Sequence, residues 1–98
     1  MKYSQRWELA ELLAVVMLLD LQEWRNPLDA DPPWARFAEQ LGRPLTAVLC
    51  RAREIRTAHP DYDGAQMNYS REDKRVVDAY LFALHVVVGD PPPKRGTA

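Results

Sequence analysis

Apolar and polar residues recur along the chain with helical spacing, and no stretch alternates as a half-buried strand would. The pattern predicts four helices. The first runs from about Gln5 to Trp24, with Ser4 as its N-cap. At 100° per residue, Leu9, Ala10, Leu13, Ala14, Met17, Leu21 and Trp24 share one face, which is assigned to the core. Glu8, Glu11 and Gln22 lie opposite, but Leu12, Val15 and Leu19 lie there with them. This second apolar patch has two readings. Either helix 4 packs over it, or Leu12, Val15 and Leu19 form a homodimer or partner interface.

A connector rich in proline and aspartate, Asn26-Pro27 through Asp31-Pro32-Pro33, precedes helix 2. Helix 2 is predicted from Pro33 to Leu41, with Trp34, Phe37, Ala38 and Leu41 facing inward and Pro33 in the first turn. Gly42 supplies a turn, and helix 3 follows from about Leu45 to Ala58 until Pro60 stops it. Leu45, Val48, Ala52 and Ile55 form its core stripe, with His59 at the end. Helix 4 opens at Ser70-Arg71-Glu72-Asp73, a capping box with Asp in the Glu position. It continues through Val77, Tyr80, Leu81 and Leu84 to about Val88, where Gly89 ends it. The expected architecture is all-α: helices 2 and 3 form a helix-turn-helix, and the long helices 1 and 4 pack around it. Residues 1–89 make one helical domain, and the proline-rich basic stretch 90–98 is expected to be disordered.

Composition narrows the function. The 98 residues suffice for one modest core, with 47% hydrophobic and 28% charged residues. The longest apolar run, Leu12 to Leu19, is eight residues and far short of a membrane span. Cys50 is the only cysteine, so neither a disulfide framework nor a thiolate zinc site is expected. With no secretory leader pattern either, the expected location is cytoplasmic. The net charge is −1, but residues 43–59 carry four Arg against one Glu, while residues 1–42 carry four Lys/Arg against seven Asp/Glu. Positive charge is thus concentrated on helix 3, where a reader of the DNA major groove needs it.

The outer face of helix 3 supplies the candidate site. Arg53 and Arg56 can make bidentate contacts with guanine, Thr46 and Thr57 can meet base edges or a thymine methyl, and Leu49 offers apolar contact. Arg43 in the turn and Arg51 at the edge suit phosphates, and Lys74 and Arg75 of helix 4 could add backbone contacts. The competing reading is that these arginines solvate an amphipathic helix, or that Arg51 or Arg53 pairs with acidic residues of helix 1.

The segment Ala38-x-x-Leu41-Gly42-Arg43-x-x-x-Ala47-Val48-x-x-Arg51 resembles the centre of homeodomain-like helix-turn-helix proteins, including Myb/SANT-type and GcrA-type domains. Trp7-Glu8-Leu9-Ala10-Glu11-Leu12 resembles their tryptophan-plus-acidic first helix. Arg43-Pro44 through Arg53-Glu54-Ile55-Arg56-Thr57-Ala58-His59-Pro60, followed by Gly64, is similar to an N-terminal module of some HNH-type endonucleases. There are three departures. Glu54-Ile55 stands in place of asparagine-phenylalanine, His59 in place of the aspartate before proline, and Pro44 where a Ser or Thr cap is usual. The resemblance implies double-stranded DNA as partner, or, as SANT-like domains also allow, a protein partner. No nuclease motif follows. His59 and His85 are far apart, no phosphate loop is present, and Asp61-x-Asp63-Gly64 lacks the remaining spacing of a calcium loop. The expectation is a small non-enzymatic DNA-binding protein of a bacterium or phage, a transcriptional regulator without a cofactor. The alternative is a protein-protein interaction module of the same shape.

Overall fold

In the computed structural model, which describes residues 6–89, the chain forms four helices and, among the described residues, no strand. They are α1 (Leu9–Leu21), α2 (Pro32–Leu41), α3 (Leu45–Arg56) and α4 (Arg71–Val88). The predicted cap Ser4 and the tail 90–98 lie outside the described residues.

The ends of the helices follow from local chemistry. Within the described residues α1 begins at Leu9, later than predicted, where Glu11 Oε1 accepts the Glu8 N–H at 2.9 Å. It also stops three residues before Trp24. Glu23 and Trp24 both adopt left-handed backbone, φ 56° and 59°, and the Trp24 N–H returns to the Leu19 carbonyl at 2.8 Å. Two successive non-glycine residues in this region carry strain. Their effect is to turn the chain so that the Trp24 ring meets His59 edge-on, with centroids 4.5 Å apart. Prolines 32 and 33 occupy the first turn of α2, where no amide partner is needed. Gly42, at φ +71°, closes that helix in the left-handed cap that only glycine adopts freely, and the Arg43 N–H bonds back to the Ala38 carbonyl. At the start of α4, Ser70 Oγ accepts the Asp73 N–H, and Asp73 Oδ2 accepts the Ser70 N–H, both at 3.0 Å. This is the reciprocal box expected from the sequence.

Trp34, Ala38, Val48, Ala52, Ile55, Val77 and Leu81 are buried, as their periodicity predicts. For α1 the two faces are the reverse of the expectation. Leu12, Val15, Val16 and Leu19 lie at 0–1% exposure in the core, while Leu9, Leu13, Met17 and Leu21 are exposed. A helix apolar all round gives its periodicity little to choose between faces. Glu11 had marked the outer side, but it is itself buried, and the neighbouring apolar residues go inward with it. Leu12, Val15 and Leu19 are therefore core residues that join α1 to its neighbours, and no partner can reach them.

Candidate functional site

The nine residues proposed for DNA contact do not form one outward surface. Arg43, in the turn between α2 and α3, is buried. Its Nε donates to Glu11 Oε2 at 3.0 Å, and its Nη2 donates to Glu11 Oε1 at 2.9 Å and to the Arg6 carbonyl at 3.0 Å. The guanidinium also lies 4.2 Å from the centroid of the Trp7 ring. Arg51 approaches the same ring at 5.5 Å and donates through Nη1 to both carboxylate oxygens of Asp73, at 3.3 Å each. Asp73 thus caps α4 and ties it to α3 at once.

The other arginines of α3 hold backbone carbonyls. Arg53 donates from Nε and Nη2 to the Pro27 carbonyl at 3.0 and 2.8 Å. Arg56 Nε donates to the Trp24 carbonyl at 2.7 Å, and its guanidinium lies 5.2 Å from the Tyr62 ring. Both clamp the connector that leads from α1 to α2. Leu49 is a core residue at 3% exposure, and Thr57 is buried at 2%, its hydroxyl donating to the Glu54 carbonyl at 2.8 Å. Neither can touch a base edge. Lys74 is half-buried between the Ala58 carbonyl and Asp78. Of the nine, Thr46 and Arg75 are exposed outright. Tyr62 and Tyr69, in the loop after α3, are half-buried, and the Tyr62 hydroxyl donates to the Ala65 carbonyl.

The face that α3 does present is small and mixed in charge. Thr46, Cys50, Arg51 and Glu54 line a shallow cleft of about 310 Å³ beside Trp7. Burial raises the Glu54 pKa, with Arg51 opposing the shift and Asp73 adding to it. A second cleft, about 300 Å³, lies between the end of α1 and the loop after α3, where Trp24, Arg56, His59 and Asp61 meet. Among the described residues no group of His, Cys, Asp or Glu is placed to hold a metal ion, and no helix is long and apolar enough to cross a membrane.

An apolar row is exposed on α1. Leu9, Leu13, Met17 and Leu21 follow one another at every fourth position, with relative exposures of 64, 40, 47 and 78%. Beside this ridge runs a shallow groove of about 460 Å³ against α2, lined by Ala14, Leu18, Pro33 and Phe37 together with Met17 and Leu21 of the ridge. Arg36 and Gln40 form its polar rim. Phe82, Val86, Val87 and Val88 are also exposed, at the far end of α4. The i, i+4 spacing that puts these residues on one face is legible in the sequence, and the structure turns that face outward rather than into the core. No protein-family model, curated protein or solved structure matches this chain.

Proposed function

We propose that this chain is a non-enzymatic interaction module that binds protein surfaces through the outward ridge of α1 and the groove beside it. One observation carries the reading. The apolar residues Leu9, Leu13, Met17 and Leu21 stand in solvent, while Arg43, Arg51, Arg53 and Arg56 are turned onto the protein's own carboxylates and carbonyls. An exposed apolar row with a polar rim is the surface form of a partner site. Freeing Arg43 for a phosphate would break both of its bonds to buried Glu11, which costs more than a surface contact returns.

A photo-crosslinking residue placed at Met17, and in parallel at Cys50, tests this in cells of the source organism. The expected result is protein adducts at position 17 and few at position 50. Nucleic-acid adducts at position 50, with none at 17, would overturn it.

A DNA-binding regulator of the homeodomain-like kind is the second reading. It is favoured by the left-handed Gly42 joint between α2 and α3 and by the outward Thr46 and Cys50 on the second of these helices. Fluorescence anisotropy with a mixed-sequence duplex separates the two readings. The interaction module gives no saturable binding at low salt. Binding that falls steeply with salt, and that a Thr46→Glu/Cys50→Glu variant loses, would restore DNA as the partner.

A further inference from the structure

We propose that the cleft between the end of α1 and the loop after α3 receives the cationic side chain of a protein partner, an arginine or a lysine. This cleft shares no lining residue with the α1 ridge, so the two readings stand or fall separately.

Charge sets the sign of the ligand. Glu23 enters the cleft just beyond α1, and Asp61 and Asp63 enter it from a loop far along the chain. Among the described residues no hydrogen bond or ion pair engages any of these three carboxylates. Of the lining residues Arg56 alone is cationic, and its Nε is committed to the Trp24 carbonyl at 2.7 Å. His59 adds no positive charge, because its Nδ1 accepts the Asp61 N–H at 3.0 Å and so carries no proton. The fold thus holds like charges together around a concave surface, an arrangement that a bound cation relieves.

The walls select the kind of cation. Trp24 and Tyr62 bring aromatic surface to the cleft, and a ring face attracts a guanidinium, or an ammonium on an alkyl stem. Arg56, with its guanidinium 5.2 Å from the Tyr62 ring, already makes such a contact within the protein. Trp24 is held in place by its indole N–H, which donates to Asp20 at 3.1 Å, and by the edge-on contact with His59. A volume of about 300 Å³, the low end for ligand pockets, fits one side chain rather than a folded segment. Because the cleft is open, one cation gains little alone, and the rest of a partner chain supplies the remaining area.

Nitrogen-15 NMR of the full chain tests this, with a blocked pentapeptide holding one arginine among glycines titrated into the tens of millimolar. The Trp24 indole N–H and the amides of Asp61 and Asp63 should shift saturably, with a dissociation constant in the millimolar range that rises with salt. The same peptide with citrulline, alike in shape but uncharged, should leave them unmoved. Glu23→Gln/Asp63→Asn, at two exposed positions, should weaken binding of the arginine peptide by about fivefold or more at unchanged helical circular dichroism. Asp61→Asn/Asp63→Asn repeats the test if the first variant is less stable. Putrescine, a free diamine, separates the two sources of the cation and should bind more weakly than the peptide. Tighter putrescine binding would assign the cleft to a free amine and overturn the proposal. So would the absence of any saturable shift, equal binding of the citrulline peptide, or undiminished binding by the folded variants. None of these outcomes bears on the α1 ridge, which crosslinking at position 17 judges.

Discussion

Arg43 and Glu11, 32 positions apart in the chain, form a two-bond ion pair with side-chain exposures of 1% and 6%. The pair fixes the α2–α3 turn to the start of α1, and the Trp7 ring lies against its guanidinium. Removing either partner strips the other of its two ion-pair bonds in a buried site. Arg43→Ala or Glu11→Ala should therefore lose about 3–5 kcal/mol in urea denaturation followed by Trp emission. Because desolvation offsets much of the pair's attraction, a Glu11→Leu/Arg43→Met double variant should recover most of that loss. A double variant as unstable as the singles would contradict the assignment.

Arg53 and Arg56 bind the connector from α3 by bonds to the Pro27 and Trp24 carbonyls. Replacing either with Ala should cost about 1.5–3 kcal/mol, the range for hydrogen bonds to charged groups. Hydrogen exchange should speed up at residues 22–31 before it changes in α4. If either variant matched wild type in stability and exchange, these arginines would be free for a ligand after all.

Glu23 is exposed and sits at φ +56°, followed by Trp24 at φ +59°. Glycine reaches this region without the Cβ penalty, though it loses more backbone entropy on folding. Glu23→Gly should raise stability by up to about 1 kcal/mol, measured as a higher urea midpoint at unchanged slope. Glu23→Val, β-branched at the same position, should move the midpoint the opposite way.

Tyr80 donates its hydroxyl to Asp20 Oδ2 at 2.9 Å, joining α4 to the last turn of α1. Burial first, and then the bond to Asp20 and its negative charge, push the phenol pKa up from 10.0 to about 12. Since the folded value lies above the unfolded one, the stability contributed by Tyr80 is complete below pH 10.0 and is lost as the pH rises toward about 12. Phenolate absorbance should show a late step near pH 12, and Tyr80→Phe should remove it.

Much of the fold is legible in the sequence, and the reasons are local. Pro32-Pro33, Gly42, Ser70 with Asp73, and Gly89 each mark a boundary through a backbone requirement that nothing distant overrides. The inward rows of α2 and α3 are legible because polar residues flank them. Two things were not readable locally. α1 has apolar residues on every side, and the residue that appeared to mark its solvent face, Glu11, is neutralised by an arginine far along the chain. The arginine cluster of α3 was visible as charge, but its partners are the Pro27 and Trp24 carbonyls and Asp73. Sequence spacing cannot show that these come within reach.

Neighbouring residues Val16 and Met17 test the central claim most directly, because the account places one in the core and the other on the interaction face, at 0% and 47% exposure. The measurement is urea unfolding of Val16→Glu and Met17→Glu at low protein concentration, where association does not contribute. Val16→Glu should lose at least about 3 kcal/mol, as an unpaired buried charge does, and Met17→Glu should stay within about 0.5 kcal/mol of wild type. The opposite order would put Leu9, Leu13, Met17 and Leu21 back inside the protein and remove the proposed surface.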